Sequence, residues 1–317
     1  MLEHIKAKSM KNITGLLGGI LFTPQLLTAS ITIQFDYSND SNNFFNSTEK
    51  KSVLEAAATS LSSYINDSLS AIIPSGGNTW KLTYSNPSTG ASTEVNNPSI
   101  NANTVLIYIG GRDLSGSTLG QGGSGGYSSF GSSAWNSTVA YRGQSGAPNN
   151  DFSCWGGSIS FDNTTSWYFD ADLASSADIP ATSYDFYSVA VHEIAHVLGF
   201  GLAQSWTTRV NTGTFIGTNS MSLYGGAVPL YSNSHWAQGT LSTLPGTSTT
   251  QEAAMDPDIG PDVRKYFTSL DFAGLKDIGW ETTPVPELEH TMGFASMALM
   301  GFAMWRRRHL KEKPSSL

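Results

Sequence analysis

A chain of 317 residues with 39% hydrophobic and 11% aromatic residues carries enough apolar surface for a packed core, which excludes a wholly disordered protein. Only 13% of residues are charged and glycine numbers 32, a composition that suits a loop-rich mixed globule rather than a coiled coil. Behind the net charge of -8 lies an acidic middle: residues 31–284 hold nine Lys or Arg against 21 Asp or Glu, which argues against an electrostatic nucleic-acid binder.

The first 30 residues place Lys6, Lys8 and Lys11 before the uncharged ITGLLGGILFTPQLLTAS and then a polar stretch. That order is the order of a secretory signal peptide, with cleavage expected near Ala29 or Ser30. Gly15, Gly18, Gly19 and Pro24 speak against a buried first helix. Residues 31–38 alternate apolar and polar and predict a strand. A helix follows, with Asn46 and Glu49 spaced as a capping box and Leu54, Ala57, Ala58, Leu61 and Ile65 on one face. TWKLTYS and NTVLIYIGG predict further strands. Residues 110–150 are Gly/Ser-rich and read as a long surface loop with at most a short strand around 137–141. GGSISFDNTTSWYFD supplies another strand and turn, and the lone Cys154 before it is expected to be a small buried apolar residue. YDFYSVAVHEIAHVLGFG predicts a helix stopped by Gly199. The chain then reads as loop to about residue 240, before a last helix over 269–278. Strands ahead of helices suggest an α+β domain over 31–283.

HEIAH lies inside the predicted helix, so His192 and His196 are neighbours on one face and both imidazoles can reach one Zn2+. Glu193, one residue along, is placed to act as general base toward the attacking water in peptide hydrolysis. A catalytic zinc takes three protein ligands and keeps a fourth position open. Of six histidines, His4 falls in the export segment and His290 and His309 in the tail, leaving His235 as the natural third ligand. Carboxylates compete for the role, but Glu252, Asp256 and Asp258 offer no better spacing. Hard oxygen ligands at Asp162, or at Asp256, Asp258 and Asp262, make Ca2+ a second candidate ion.

HEIAHVLG, with Gly199 three residues after His196, and AAMDP around Met255 resemble the metzincin clan of zinc metalloproteases. GGSISFD followed by SWYF is similar to the strand before the active-site helix in matrixin-like members, and the likeness extends over most of 31–281. The resemblance implies a twisted mixed sheet with a long N-terminal helix, an active-site helix and a C-terminal helix. It also implies His192 and His196 as ligands, Glu193 as base, Gly199 as the exit turn, and Met255 as the Met-turn residue beneath the metal. The family pattern has its third histidine at position 202, where this chain has Leu202; leishmanolysin-like members insert a segment first, and His235 fills the role here. By the same resemblance NTVLIYIGG is the edge strand that pairs with an extended protein or peptide substrate.

Residues 284–317 hold Pro286 and Glu287, an uncharged run of 15 residues, and then Arg306, Arg307 and Arg308. At ~1.5 Å per residue that run spans only ~22 Å, short of a ~30 Å hydrocarbon core. The arrangement resembles the PEP-CTERM sorting signal that exosortases process in Gram-negative bacteria, with Leu288 where many members have a second proline. An exosortase-type partner, transient or lasting membrane anchoring through this transmembrane helix candidate, and delivery to the cell surface follow from that likeness. The whole reads as an exported zinc endopeptidase. Its rival is a non-enzymatic surface or matrix protein with a structural or vestigial zinc site, against which Glu193 argues because a structural site needs no base.

Overall fold

Residues 30–283 are described by a computed structural model, apart from 171 and 174. Alternating residues after position 31 form β1 (Thr32–Asp36), and the chain returns through α1 (Thr48–Ser62). The cap of α1 is Ser47, whose side chain accepts the Lys50 N–H, rather than Asn46. Val53, Leu54, Ala57, Ala58 and Leu61 form its buried face. Next come β2 (Thr79–Ser85), β3 (Ser92–Asn96) and β4 (Thr104–Arg112). The stretch expected to be a long loop holds β5 (Gly120–Ser124), β6 (Gly126–Phe130) and helix α2 (Ser133–Tyr141). Trp135 and Val139, four apart, bury one face of α2, so the strand expected at 137–141 is instead the end of a helix.

β7 (Gly156–Asp162) completes the main sheet, ordered β1-β4-β7-β5. β1, β4 and β7 run parallel, and β5 lies antiparallel on the outer side of β7. β4 is therefore interior, paired on both sides, and the expectation that it is the substrate-pairing edge is corrected: the edges are β1 and β5, and β5 is the one that lies against Glu193 of the HEIAH segment. A continuous apolar run such as TVLIYI marks a strand buried on both faces, which is the signature of an interior parallel strand. A second sheet, β3-β2-β6, buries Trp80, Leu82 and Tyr84 with Tyr108, Trp135 and Trp155.

Arg142 closes α2 in left-handed conformation and is fully buried. Among the described residues no carboxylate pairs with it, and its guanidinium donates to the carbonyls of Ser70, Asn101, Thr104 and Cys154. Desolvation lowers its pKa to about 10, and the four carbonyls tie α2 to the start of β4 and the approach to β7. Cys154 is buried, as expected.

The short pair β8 (Trp167–Tyr168) and β9 (Tyr184–Asp185) leads into α3 (Phe186–Val197). The segment expected to be loop beyond it contains α4 (Gln204–Thr207), β10 (Val210–Asn211), β11 (Thr214–Phe215), α5 (Thr218–Tyr224), β12 (Val228–Tyr231) and β13 (His235–Trp236). The four strands form one meander, β10-β11-β12-β13. Its anchor is aromatic. Trp206 stacks on Phe215 with centroids 4.0 Å apart, and Phe200 and Trp206 pack on Trp236 at 5.1 and 5.3 Å. A hairpin of β14 (Leu241–Thr243) and β15 (Thr250–Glu252) precedes α6 (Ser269–Asp277), which Thr268 and Asp271 start as a reciprocal capping box. The chain then returns to the end of α1: Thr282 bridges Ile65, and Asp67 accepts the Glu281 N–H. The export segment and the sorting tail lie outside the described residues. Among the described residues no helix is long and apolar enough to cross a membrane.

Candidate metal centre and active-site cleft

α3 carries the site because both of its ends are fixed. At the start, Asp185 accepts the Ser188 N–H and hydroxyl while pairing with Arg264 through both oxygens, at 2.8 and 3.1 Å. At the end, Gly199 takes φ +91 and the Phe200 N–H reaches back to the Ala195 carbonyl, a closure that a side chain at 199 would strain. The chain thus leaves α3 sharply and runs through the meander, which returns it to the helix at β13. His235 arrives there because Trp236 beside it is fully buried in the aromatic anchor.

The Nε2 atoms of His192, His196 and His235 form a triangle with sides of 3.0, 3.1 and 3.2 Å. Their Nδ1 atoms face the Ala254 carbonyl at 2.8 Å, the Phe200 carbonyl at 2.9 Å and the Ser234 hydroxyl at 3.0 Å. A carbonyl can only accept, so the neutral rings of His192 and His196 carry their proton on Nδ1 and present a lone pair at Nε2. The same tautomer at His235 lets Ser234 accept. Three lone pairs then face one another with no proton between them, an arrangement that calls for a cation. Nitrogens ~2.0–2.1 Å from one zinc at near-tetrahedral angles stand roughly 3.3 Å apart, so the triangle fits such an ion. Burial, and then the neighbouring rings, push the His192 pKa well down, and that of His196 falls to about 4. All three imidazoles are held neutral, as ligands must be. Among the described residues no other group of three His, Cys, Asp or Glu has this disposition.

Glu193 lies on the β5 side of α3. Burial raises its pKa to about 8, and the Gly122 N–H bonding to it acts in the opposite direction. A cation at the histidines would draw that value back down. β5 can lie this close only because it lacks side chains: a Cβ on Gly120 would meet the Glu193 side chain at 2.6 Å, and one on Gly122 the Glu193 carbonyl at 2.5 Å. The same glycines made the segment read as loop. Between β5 and residues 256–260 opens a cavity of about 770 Å³ lined by the three histidines and Glu193. Leu202 lines it as well, half exposed and close to Gly123.

Under the site sits a residue whose role sequence reasoning missed. Asp271 is fully buried and accepts from Trp236 Nε1, Met255 N and Ala254 N, and from Thr268. It joins the strand of His235 to the turn whose carbonyl holds His192. Met255 is fully buried in that turn, and its carbonyl accepts the Trp236 N–H. The capping-box spacing of Thr268 and Asp271 was the available signal. Of the carboxylates expected to suit calcium, Asp162 accepts from Leu114 N and the Thr164 and Thr165 hydroxyls, and Asp256 pairs with Lys265 at 2.6 Å.

The family model for Matrixin matches residues 128–208. The matched quarter of the chain includes α3 with His192, Glu193, His196 and Gly199 and ends before His235 and Met255. It supports a metzincin-like zinc metalloprotease, a family that uses zinc and acts on peptides. The chain matches no curated protein and no solved structure.

Proposed function

We propose that the chain is an exported zinc-dependent endopeptidase in which His192, His196 and His235 hold the metal and Glu193 is the general base. The observation that carries the reading is the convergence of three lone-pair nitrogens and a buried carboxylate in one cavity beside a free sheet edge. Zinc bound there supplies Lewis-acid chemistry, lowering the pKa of water toward neutrality and polarising a carbonyl. Glu193 takes the proton of the attacking water and delivers it to the departing amine. The open edge of β5 aligns an extended peptide by main-chain hydrogen bonds, and its missing side chains leave room for the peptide backbone near Glu193. Asp271 holds the His235 strand and the Met255 turn in register, so the ligands are fixed before metal arrives. Export rests on the charge and apolar pattern of residues 1–30. Surface delivery, with processing by an exosortase-type enzyme, rests on the pattern of 284–317. Metal analysis of the purified chain, coupled to casein digestion with and without chelator, tests the reading. About one zinc per chain and chelator-sensitive digestion are expected; digestion that ignores the chelator would overturn it.

A further inference from the structure

The cleft carries an apolar side chain that the core does not use. Position 202 holds a histidine in the family pattern, and with His235 beside His192 and His196 the leucine found there is free of that duty. A rigid turn presents Leu202. The Gly199 carbonyl accepts the N–H groups of Leu202 at 3.1 Å and Ala203 at 2.9 Å, and Gly201 takes φ +75 where a Cβ would meet the Ser234 carbonyl at 2.1 Å. Phe200 and Ala203 are buried on either side, whereas Leu202 is 51% exposed and lines the cavity. Of the other large apolar residues that line it, Val189 is buried and Leu119 and Ile259 are half-buried.

The register of β5 decides what Leu202 can touch. The Leu119 carbonyl accepts the Asp162 N–H and the Gly125 N–H donates to Gly156, so the main-chain groups of odd-numbered residues along β5 face β7. Those of Gly120, Gly122 and Ser124 therefore face the open edge. In a peptide strand pairing antiparallel to that edge, the residue opposite Gly123 falls in a non-hydrogen-bonded pair, where facing side chains come closest and share one face of the sheet. Gly123 leaves its half of that space empty, and a Cβ on it would meet only Leu202 Cδ1, at 3.4 Å. Resting on the proteolytic reading of the site, we propose that Leu202 and the bare face of Gly123 form a subsite for a large apolar side chain of the substrate, with Leu202 as the residue that selects it. Leu, Met or Phe placed there takes its own apolar surface and that of Leu202 out of water, whereas Ser or Asp gives up hydration without a partner.

The test uses the zinc-loaded chain and quenched fluorescent peptides varied in turn at the residues on each side of one scissile bond. At one position Leu, Met or Phe is expected to exceed Ser and Asp in kcat/KM by at least ~10-fold. Leu202→Ser is expected to level that position alone, with zinc content and the preferences at other positions retained. Gly123→Ala adds a methyl group to the same space and is expected to shift the same position from Phe toward Ala. A parent with no apolar preference at any position overturns the inference whether or not the variants fold. So does a folded Leu202→Ser chain that keeps every preference, or one that cleaves all the peptides faster, which would show the leucine obstructing the edge. Binding of the same peptides to Glu193→Ala, read by fluorescence anisotropy, gives the comparison where no bond is cut. Tighter binding of the apolar peptide, lost on adding Leu202→Ser, supports the subsite even if the hydrolytic reading fails, and equal affinities for apolar and Ser peptides refute it.

Discussion

Glu193 and the histidines on either side of it do separable work, and single substitutions separate them. Glu193→Ala removes the proton acceptor and leaves all three Nε2 atoms in place, so digestion of casein is expected to fall by on the order of 10²–10⁴ while bound zinc is unchanged. A variant that still digests protein near the parental rate would remove Glu193 from the mechanism. Asp67, which does not line the cavity, is a different case. It is buried, and desolvation raises its pKa to about 6 although the Glu281 N–H bonds to it. A carboxyl whose folded pKa lies above its unfolded value favours the fold while protonated, and that stability is lost as pH rises from about 4 through 6. Asp67→Asn keeps an acceptor for the Glu281 N–H, so its Tm is expected to exceed the parent's at pH 8 and to match it at pH 4. A variant less stable than the parent at pH 8 would contradict this.

At the level of elements, the close contact of β5 with α3 is what brings Glu193 beside a free sheet edge. Gly122→Val drives a side chain into the Glu193 carbonyl and is expected to cost about 1–3 kcal/mol and most of the activity. Gly123→Ala, whose Cβ would meet only Leu202 at 3.4 Å, is expected to be tolerated. Urea unfolding of the two variants checks the contrast, and equal losses would show that the contact is not the cause. This element also shows where sequence reading stops. α3 was legible, with its Gly199 exit and its histidines on one face, because spacing within a few residues decides all of it. β5 and β6 were not, since glycines that permit close approach look locally like glycines that permit turns. The strands between Gly201 and Trp236 escaped for another reason: they are two to four residues long and exist because Trp206, Phe215 and Trp236 pack together across the sequence. Asp271 falls inside the helix predicted over 269–278, as the third residue of α6, but its partners outside that helix are set by packing that no local pattern reveals.

For the whole molecule, the described fold ends where it began, with Thr283 bonded to Tyr64 at the end of α1. Truncation after Thr283 is therefore expected to leave a soluble, active domain, and gel filtration with the casein assay would show it; an inactive or aggregated product would place the tail within the fold. The central claim is that a ligand supplied by the inserted meander completes a metal site begun on one helix. Its most direct test is equilibrium dialysis against zinc of the parent and of His235→Ala, an exchange that leaves His192 and His196 with their own carbonyl partners. We expect the parent to hold about one zinc per chain and the variant to hold almost none at the free zinc that saturates the parent. Equal zinc content in the two proteins would contradict the account.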